Sequence, residues 1–252
     1  MLQTKILKHI NKLQQKKYRR EHSEFVVEGV KGMVEAIESS AQVQRVIVQN
    51  NKKQEPEFIK IIDLAHKKHI VVDFCNDNDV GKIKDTDTFP GVLAIVKQIG
   101  YELDEIGGNS IICLDCIKDP GNLGAIIRTA DWFGVNSVVL SEDCVDLYNP
   151  KTVRATMGSI FRVKVFQSKD LAKTLASLKK KGYQISGLTM NGKELKINKK
   201  IKTAYILGSE SHGINPQVEK LLDKRYTIKG SGSAESLNVA ITAGILLSKL
   251  HD

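Results

Sequence analysis

Three stretches of the chain pass from a strand-like run through a glycine or asparagine turn into helix-forming sequence, and each carries polar groups that could act on a ligand. In "DPGNLGAIIRTADWFG", Asp119 to Gly134, the turn Asp119-Pro120-Gly121-Asn122 follows the apolar run "SIICLDCI". In an open α/β sheet, ligands sit on the loops that leave the carboxyl ends of strands. Asn122 reads as an N-cap, so the helix is expected to begin at Leu123, with Leu123, Ile127, Ala130 and Gly134 on the face that packs on the sheet. Arg128 falls on another side, four residues after Gly124. Helical side chains lean toward the N-terminus, so its guanidinium is expected to reach back over Gly124 toward the free amides of the first turn. A planar fork and free amides converging on one place suit a phosphate.

The second stretch, "YILGSESHGINP" from Tyr205 to Pro216, sets one acid, Glu210, in a glycine turn between strand and helix. The third, "IKGSGSAESLNVAITAG", places flexible glycines and serines before a helix expected to open with Ser236-Leu237-Asn238. Glycine at a strand exit lets backbone approach a ligand closely. Each stretch taken singly is also ordinary turn and cap chemistry. Together, on one sheet, they read as a single compound site.

The elements that must position these loops can be read from hydrophobic periodicity. From about residue 24 to 99, "EFVVEG", "VQRVIVQN", "HIVVDFC" and "GVLAIVKQI" are strand-like, and "VKGMVEAIESS" and "EPEFIKIIDLAHKK" have helical spacing. That is a small α/β unit. The polar "GYELDEIGGN", Gly100 to Asn109, reads as a linker. Beyond it "SIICLDCI", "NSVVLSE", "FRVKVF", "YQISGLTM", "TAYILG" and "RYTIKG" are strand candidates with helical stretches after most of them, the pattern of a mostly parallel sheet covered on both faces. Two domains are expected, 1–104 and 105–252.

Composition narrows the function classes. With 252 residues, 41% hydrophobic and 27% charged, the chain has the make-up of an ordinary globular protein. No apolar stretch approaches the ~20 residues of a spanning helix, and "MLQTKILKHINKLQQ" carries lysines where a signal peptide needs an apolar core, so a cytoplasmic protein without membrane association is expected. The net charge is +9. Seven cations, Lys5, Lys8, Lys12, Lys16, Lys17, Arg19 and Arg20, precede the first acid, Glu21. Such a run binds nucleic-acid phosphates without regard to sequence, or serves only as a solvated helix face. Lys12, Lys16, Lys17, Arg19 and Arg20 are the candidate nucleic-acid contacts. Cys113 and Cys116 form a C-x-x-C, but inside an apolar run and with neither a second such pair nor a histidine pair nearby. Cys75, Cys113, Cys116 and Cys144 are therefore expected to be reduced thiols, with no metal bound.

The three site motifs, "DPGNLGAIIRTADWFG", "LGSESHGI" and "SLNVAITAGILL", with "NPKTVRATMGSIFRV" between the first two, resemble the SpoU/TrmH family of RNA ribose 2′-O-methyltransferases, of the SPOUT class. The resemblance covers about Ser110 to Asp252. More loosely, the N-terminal half resembles the small α/β/α domain that many members carry for RNA recognition. The resemblance implies a trefoil-knotted α/β domain, a homodimer and S-adenosylmethionine as methyl donor. It implies that the donor lies near Leu207, Gly208, Ile228, Leu237 and Asn238, with Asn122, Arg128, Glu210, Ser236 and Asn238 around the reacting groups. Arg128 is proposed as the base in such enzymes, but a guanidinium stays protonated, so a phosphate clamp is the role expected here. Ribosomal RNA is the favoured substrate because of the separate N-terminal domain. The alternatives are transfer RNA, or an RNA-binding protein without catalysis. A nicotinamide-dependent fold is disfavoured, since neither "GNLG" nor "GSGS" completes G-x-G-x-x-G after a first strand.

Overall fold

The computed structural model describes residues 2–83, 89–209 and 211–251. They form two compact units, 1–99 with 146–161, and 100–145 with 162–252. The segment 146–161, grouped with the C-terminal half on sequence, thus packs with the N-terminal unit.

The N-terminal unit begins with two short basic helices, α1 (Thr4–Leu13) and α2 (Lys16–His22). There follow β1 (Glu24–Glu28), α3 (Val30–Glu38), β2 (Val43–Gln49), α4 (Pro56–Lys67), β3 (Val71–Cys75), α5 (Asp77–Ile83) and β4 (Val92–Lys97). The sheet order is β1-β4-β2-β3, with β4 antiparallel to both neighbours and β2 parallel to β3. Side chains alternate across it. Val26, Ile47, Leu93 and Ile95 face Leu7, Ile10 and Leu13 of α1 and Ile83 of α5, while α3 and α4 lie together against β4 and β3. α5 was absent from the sequence reading, because "NDNDVGK" is polar and carries a glycine. It is held by Asp79, whose carboxylate accepts from the backbone N–H of Leu2 at 3.1 Å and of Asn76 at 3.2 Å. Tyr148 and Phe161 pack on Phe25, with centroids 4.6 and 6.3 Å away, and with the Arg19–Asp146 ion pair they join 146–161 to the unit.

The C-terminal unit carries β5 (Ser110–Leu114), α6 (Pro120–Trp132) and β6 (Ser137–Leu140). The chain then passes through α7 (Pro150–Thr156) of the first unit and returns as β7 (Lys164–Gln167), α8 (Leu171–Lys180), β8 (Gln184–Glu194), β9 (Thr203–Leu207), α9 (Pro216–Glu219), β10 (Lys224–Thr227) and α10 (Val239–His251). All six strands are parallel, in the order β10-β8-β9-β5-β6-β7. Ile111, Cys113, Ile185 and Ile206 pack under α8 and α9. On the other face α6 and α10 lie side by side. They run in the same direction, since Asn122 meets Asn238 near their starts and Phe133 meets His251 just past α6 and at the end of α10. The expected linker is tighter than its polarity implies: Tyr101, Leu103 and Ile106 pack into this core.

Both boundaries of α6 differ from expectation. α6 starts at Pro120, and its cap is Asp119, whose Oδ1 accepts from the N–H of Asn122 at 2.7 Å. Proline at the first helical position, with its φ already set, extends the helix back past Asn122. At the other end Gly134 is a left-handed residue after the helix, φ 73°, and not part of the packed face. Among the described residues no helix is long and apolar enough to cross a membrane.

Candidate active site

Two strand exits of the C-terminal unit and the middle of β8 line one cavity of about 760 Å³, within the range of small-molecule sites. Leu207 and Gly208 line it from the end of β9, Ile228 from the end of β10, and Ser236 and Leu237 from the approach to α10. The expected donor contacts Leu207, Gly208, Ile228 and Leu237 are therefore brought together. The middle of β8 supplies Leu188 to Asn191, a stretch whose strand-like sequence gives no sign of a site.

The turn after β9 is closed by reciprocal backbone bonds of 3.0 Å between Ser209 and Gly213. At Gly208 a Cβ would stand 2.1 Å from the carbonyl carbon of Gly213, so only glycine allows this approach. Asp115 braces the turn from β5: its N–H donates to Leu207 O at 2.9 Å, and its buried carboxylate accepts from the N–H of Asn215 at 2.7 Å. Sequence reading passed over Asp115 because it sits in an apolar run.

Asn238 caps α10. Its Oδ1 accepts from the N–H of Ala240 at 2.8 Å, which turns its amide nitrogen outward to donate to Oδ1 of Asn122 at 3.1 Å. The first and third motifs are thus joined by one hydrogen bond. The helix begins at Val239, so Ser236 and Leu237 lie in the preceding loop. Arg128 is on the same helix as Asn122, six residues and so about 9 Å further along the axis. It is exposed and makes no hydrogen bond or ion pair with another described residue. The expected partnership with first-turn amides fails in part, because Pro120 has no N–H and those of Asn122 and Leu123 are taken by Asp119. An anion here would be held chiefly by the guanidinium. Glu210 lies outside the described residues.

In the N-terminal unit Lys12, Lys16, Lys17 and Arg20 are exposed, and Lys12 and Lys17 both lie over the ring of Tyr18, at 5.2 and 5.6 Å from its centroid. Arg19 corrects the sequence reading. It is 2% exposed, bonds Asp146 at 2.9 and 2.5 Å, and donates to the carbonyls of Leu13 and Gln14. A guanidinium so enclosed ties helices to the 146–161 segment and is withheld from RNA. All four cysteines are free, and burial pushes the thiols of Cys75, to about 11, and of Cys113 and Cys144 upward. Among the described residues no three His, Cys, Asp or Glu side chains gather as metal ligands.

Comparison with known proteins agrees with this geometry. Residues 109–248 match the model of the SpoU rRNA Methylase family, and residues 4–94 that of the MRM3-like substrate binding domain. The chain is 29% identical to the 23S rRNA (guanosine(2553)-2'-O)-methyltransferase RlmP of Bacillus subtilis, over 97% of this chain and 95% of that protein. It is 30% identical to the 23S rRNA (guanosine-2'-O-)-methyltransferase RlmB of Acinetobacter baylyi, over 75% and 81%. Among solved structures, a TrmH-family protein of Porphyromonas gingivalis superposes with TM-score 0.85 at 30% identity, over 99% of this chain and 98% of that one. The AdoMet-bound rRNA methyltransferase of Sinorhizobium meliloti does so with TM-score 0.87 at 28% identity, over 99% and 95%. With residues 109–248 matched to the family and the N-terminal half to a substrate-binding domain, the chain belongs to the SpoU rRNA methylase family and is an RNA methyltransferase.

Proposed function

We propose that the protein transfers a methyl group from S-adenosylmethionine to a ribose 2′-hydroxyl of ribosomal RNA. The observation that carries the reading is the Asn122–Asn238 hydrogen bond, which fixes two motif residues at the edge of the cavity formed by the other strand exits. The cavity fits the donor: its walls combine apolar side chains, Leu188, Leu207 and Ile228, with backbone at glycine turns, surroundings for a flat base and a polar tail. Bound there, S-adenosylmethionine would supply a methyl already activated on sulfonium. What the chain must add is orientation. Asn122 and Asn238 orient the ribose, Ser236 lies on the same rim, and Arg128 grips an RNA phosphate with its fork and polarises the hydroxyl. Glu210 is assigned to the same group by its motif.

Residues 1–104 act as the RNA-binding domain and 105–252 as the methyltransferase domain, with Lys12, Lys16, Lys17 and Arg20 as phosphate contacts. The chain works in the cytoplasm, as a knotted homodimer. The support for pairing is apolar exposure on the α6–α10 pair, where Trp132 is 83% and Ile241 56% exposed. The names of the relatives favour ribosomal over transfer RNA.

Mapping 2′-O-methyl marks in RNA from cells with and without the gene tests the reading. One mark missing from ribosomal RNA is the expected result. A mark missing only from transfer RNA supports the transfer-RNA alternative, and no missing mark supports an RNA-binding protein without catalysis.

A further inference from the structure

The wall of the proposed donor cavity has a second side. β8 stays paired with β9 as far as Leu188, but its pairing with β10 jumps from Gly187 opposite Arg225 to Lys193 opposite Tyr226. The residues between, Leu188 to Gly192, leave the register. Gly192 permits the return, since a Cβ there would stand 2.6 Å from the backbone of Tyr226. The far side of this excursion opens a second depression, of about 960 Å³, which shares Met190, Asn191 and Tyr226 with the donor cavity.

Its other walls carry Lys193, Lys196, Lys224 and Arg225. The two acids present are engaged by lysines elsewhere, Glu194 by Lys229 at 3.7 Å and Asp223 by Lys179 at 2.7 Å. Lys193, Lys196 and Lys224 are exposed and have no ion-pair partner among the described residues. Met190, 66% exposed, and Tyr226 line both hollows. Unneutralised cations with an apolar and aromatic platform are the make-up of a groove for single-stranded nucleic acid, where phosphates are held by charge and bases by stacking.

We propose that this groove binds the single-stranded RNA flanking the nucleotide that is methylated. The inference rests on reading the adjoining cavity as the donor site of an RNA methyltransferase. A strand with one ribose at that cavity must leave across its rim, and this rim offers the phosphates cations that no acid has claimed.

The test is the variant K193Q/K196Q/K224Q of the full chain, whose substitutions lie outside the donor cavity. Binding of a short mixed-sequence single-stranded RNA is measured across a salt series, beside S-adenosylmethionine affinity by calorimetry. Three lost phosphate contacts should lower the slope of log affinity against log salt by about 2. Donor affinity and the unfolding midpoint should match the parent, and K193R/K196R/K224R should restore the slope. An unchanged slope in the glutamine variant overturns the groove and leaves the methyltransferase reading intact. Equal losses on a duplex of the same sequence overturn the single-strand assignment. A parent protein that binds neither S-adenosylmethionine nor RNA overturns the underlying reading, and the groove with it.

Discussion

Arg128 and Arg19 are alike in type and opposite in situation. Arg128 is exposed with no partner among the described residues, whereas Arg19 is enclosed by Asp146 and two carbonyls. Arg128→Ala and Arg128→Lys are both expected to lose most methyl transfer in single-turnover assays, since lysine keeps the charge but not the two-oxygen fork. S-adenosylmethionine affinity should stay near the parent value, because no Arg128 atom lines the donor cavity. Near-parental transfer by Arg128→Ala would make it a surface residue. Arg19→Ala should instead cost about 3 kcal/mol in urea unfolding, by stranding the largely enclosed Asp146 carboxylate. Replacing Lys12, Lys16, Lys17 and Arg20 by glutamine should leave stability alone and lower the RNA salt slope by about 3. From sequence the two kinds of arginine were indistinguishable, because only the 127-residue separation closed by folding brings Asp146 to Arg19.

At the scale of elements, the strands and most helices were legible, since their apolar periods survive burial on one or both faces. Caps were less so: Asn122 has the residue type of a cap, but Pro120 takes the first helical position and Asp119 caps the helix. The turn after β9 carries the sharpest prediction. Gly208→Ala would set a Cβ 2.2 Å from the Gly213 carbonyl oxygen, and backbone cannot step aside as a side chain can. The Ser209–Gly213 turn must then open, and calorimetry should show donor affinity reduced by about tenfold or more, the effect of ~1.4 kcal/mol. Undiminished binding would remove this turn from the donor site.

The whole molecule adds a pH dependence to the N-terminal unit. At Glu24 burial raises the carboxyl pKa, but Lys97 and His9 outweigh it and hold the group below its ordinary 4.5. At Asp79 burial likewise raises and the N–H groups of Leu2 and Asn76 prevail, below an ordinary 3.8. In both the unfolded chain takes up its proton first, so the stabilisation is complete above those ordinary values and is lost as pH falls through the folded ones. Thermal unfolding should show the loss below about pH 4.5, where unfolded Glu24 begins to bind its proton, and Glu24→Gln should flatten that part of the profile. The sequence by itself determined the alternation of strands and helices, the two α/β halves and the three motif loops, because these depend on residue period and on local turn chemistry. Only the tertiary structure decided that 146–161 packs on Phe25, that Arg19 is interior, that Asn122 meets Asn238, and that β8 leaves its register to wall two cavities. Each of these joins residues far apart in the chain, through contacts whose energies depend on where burial and partners fall, and local sequence carries no record of either.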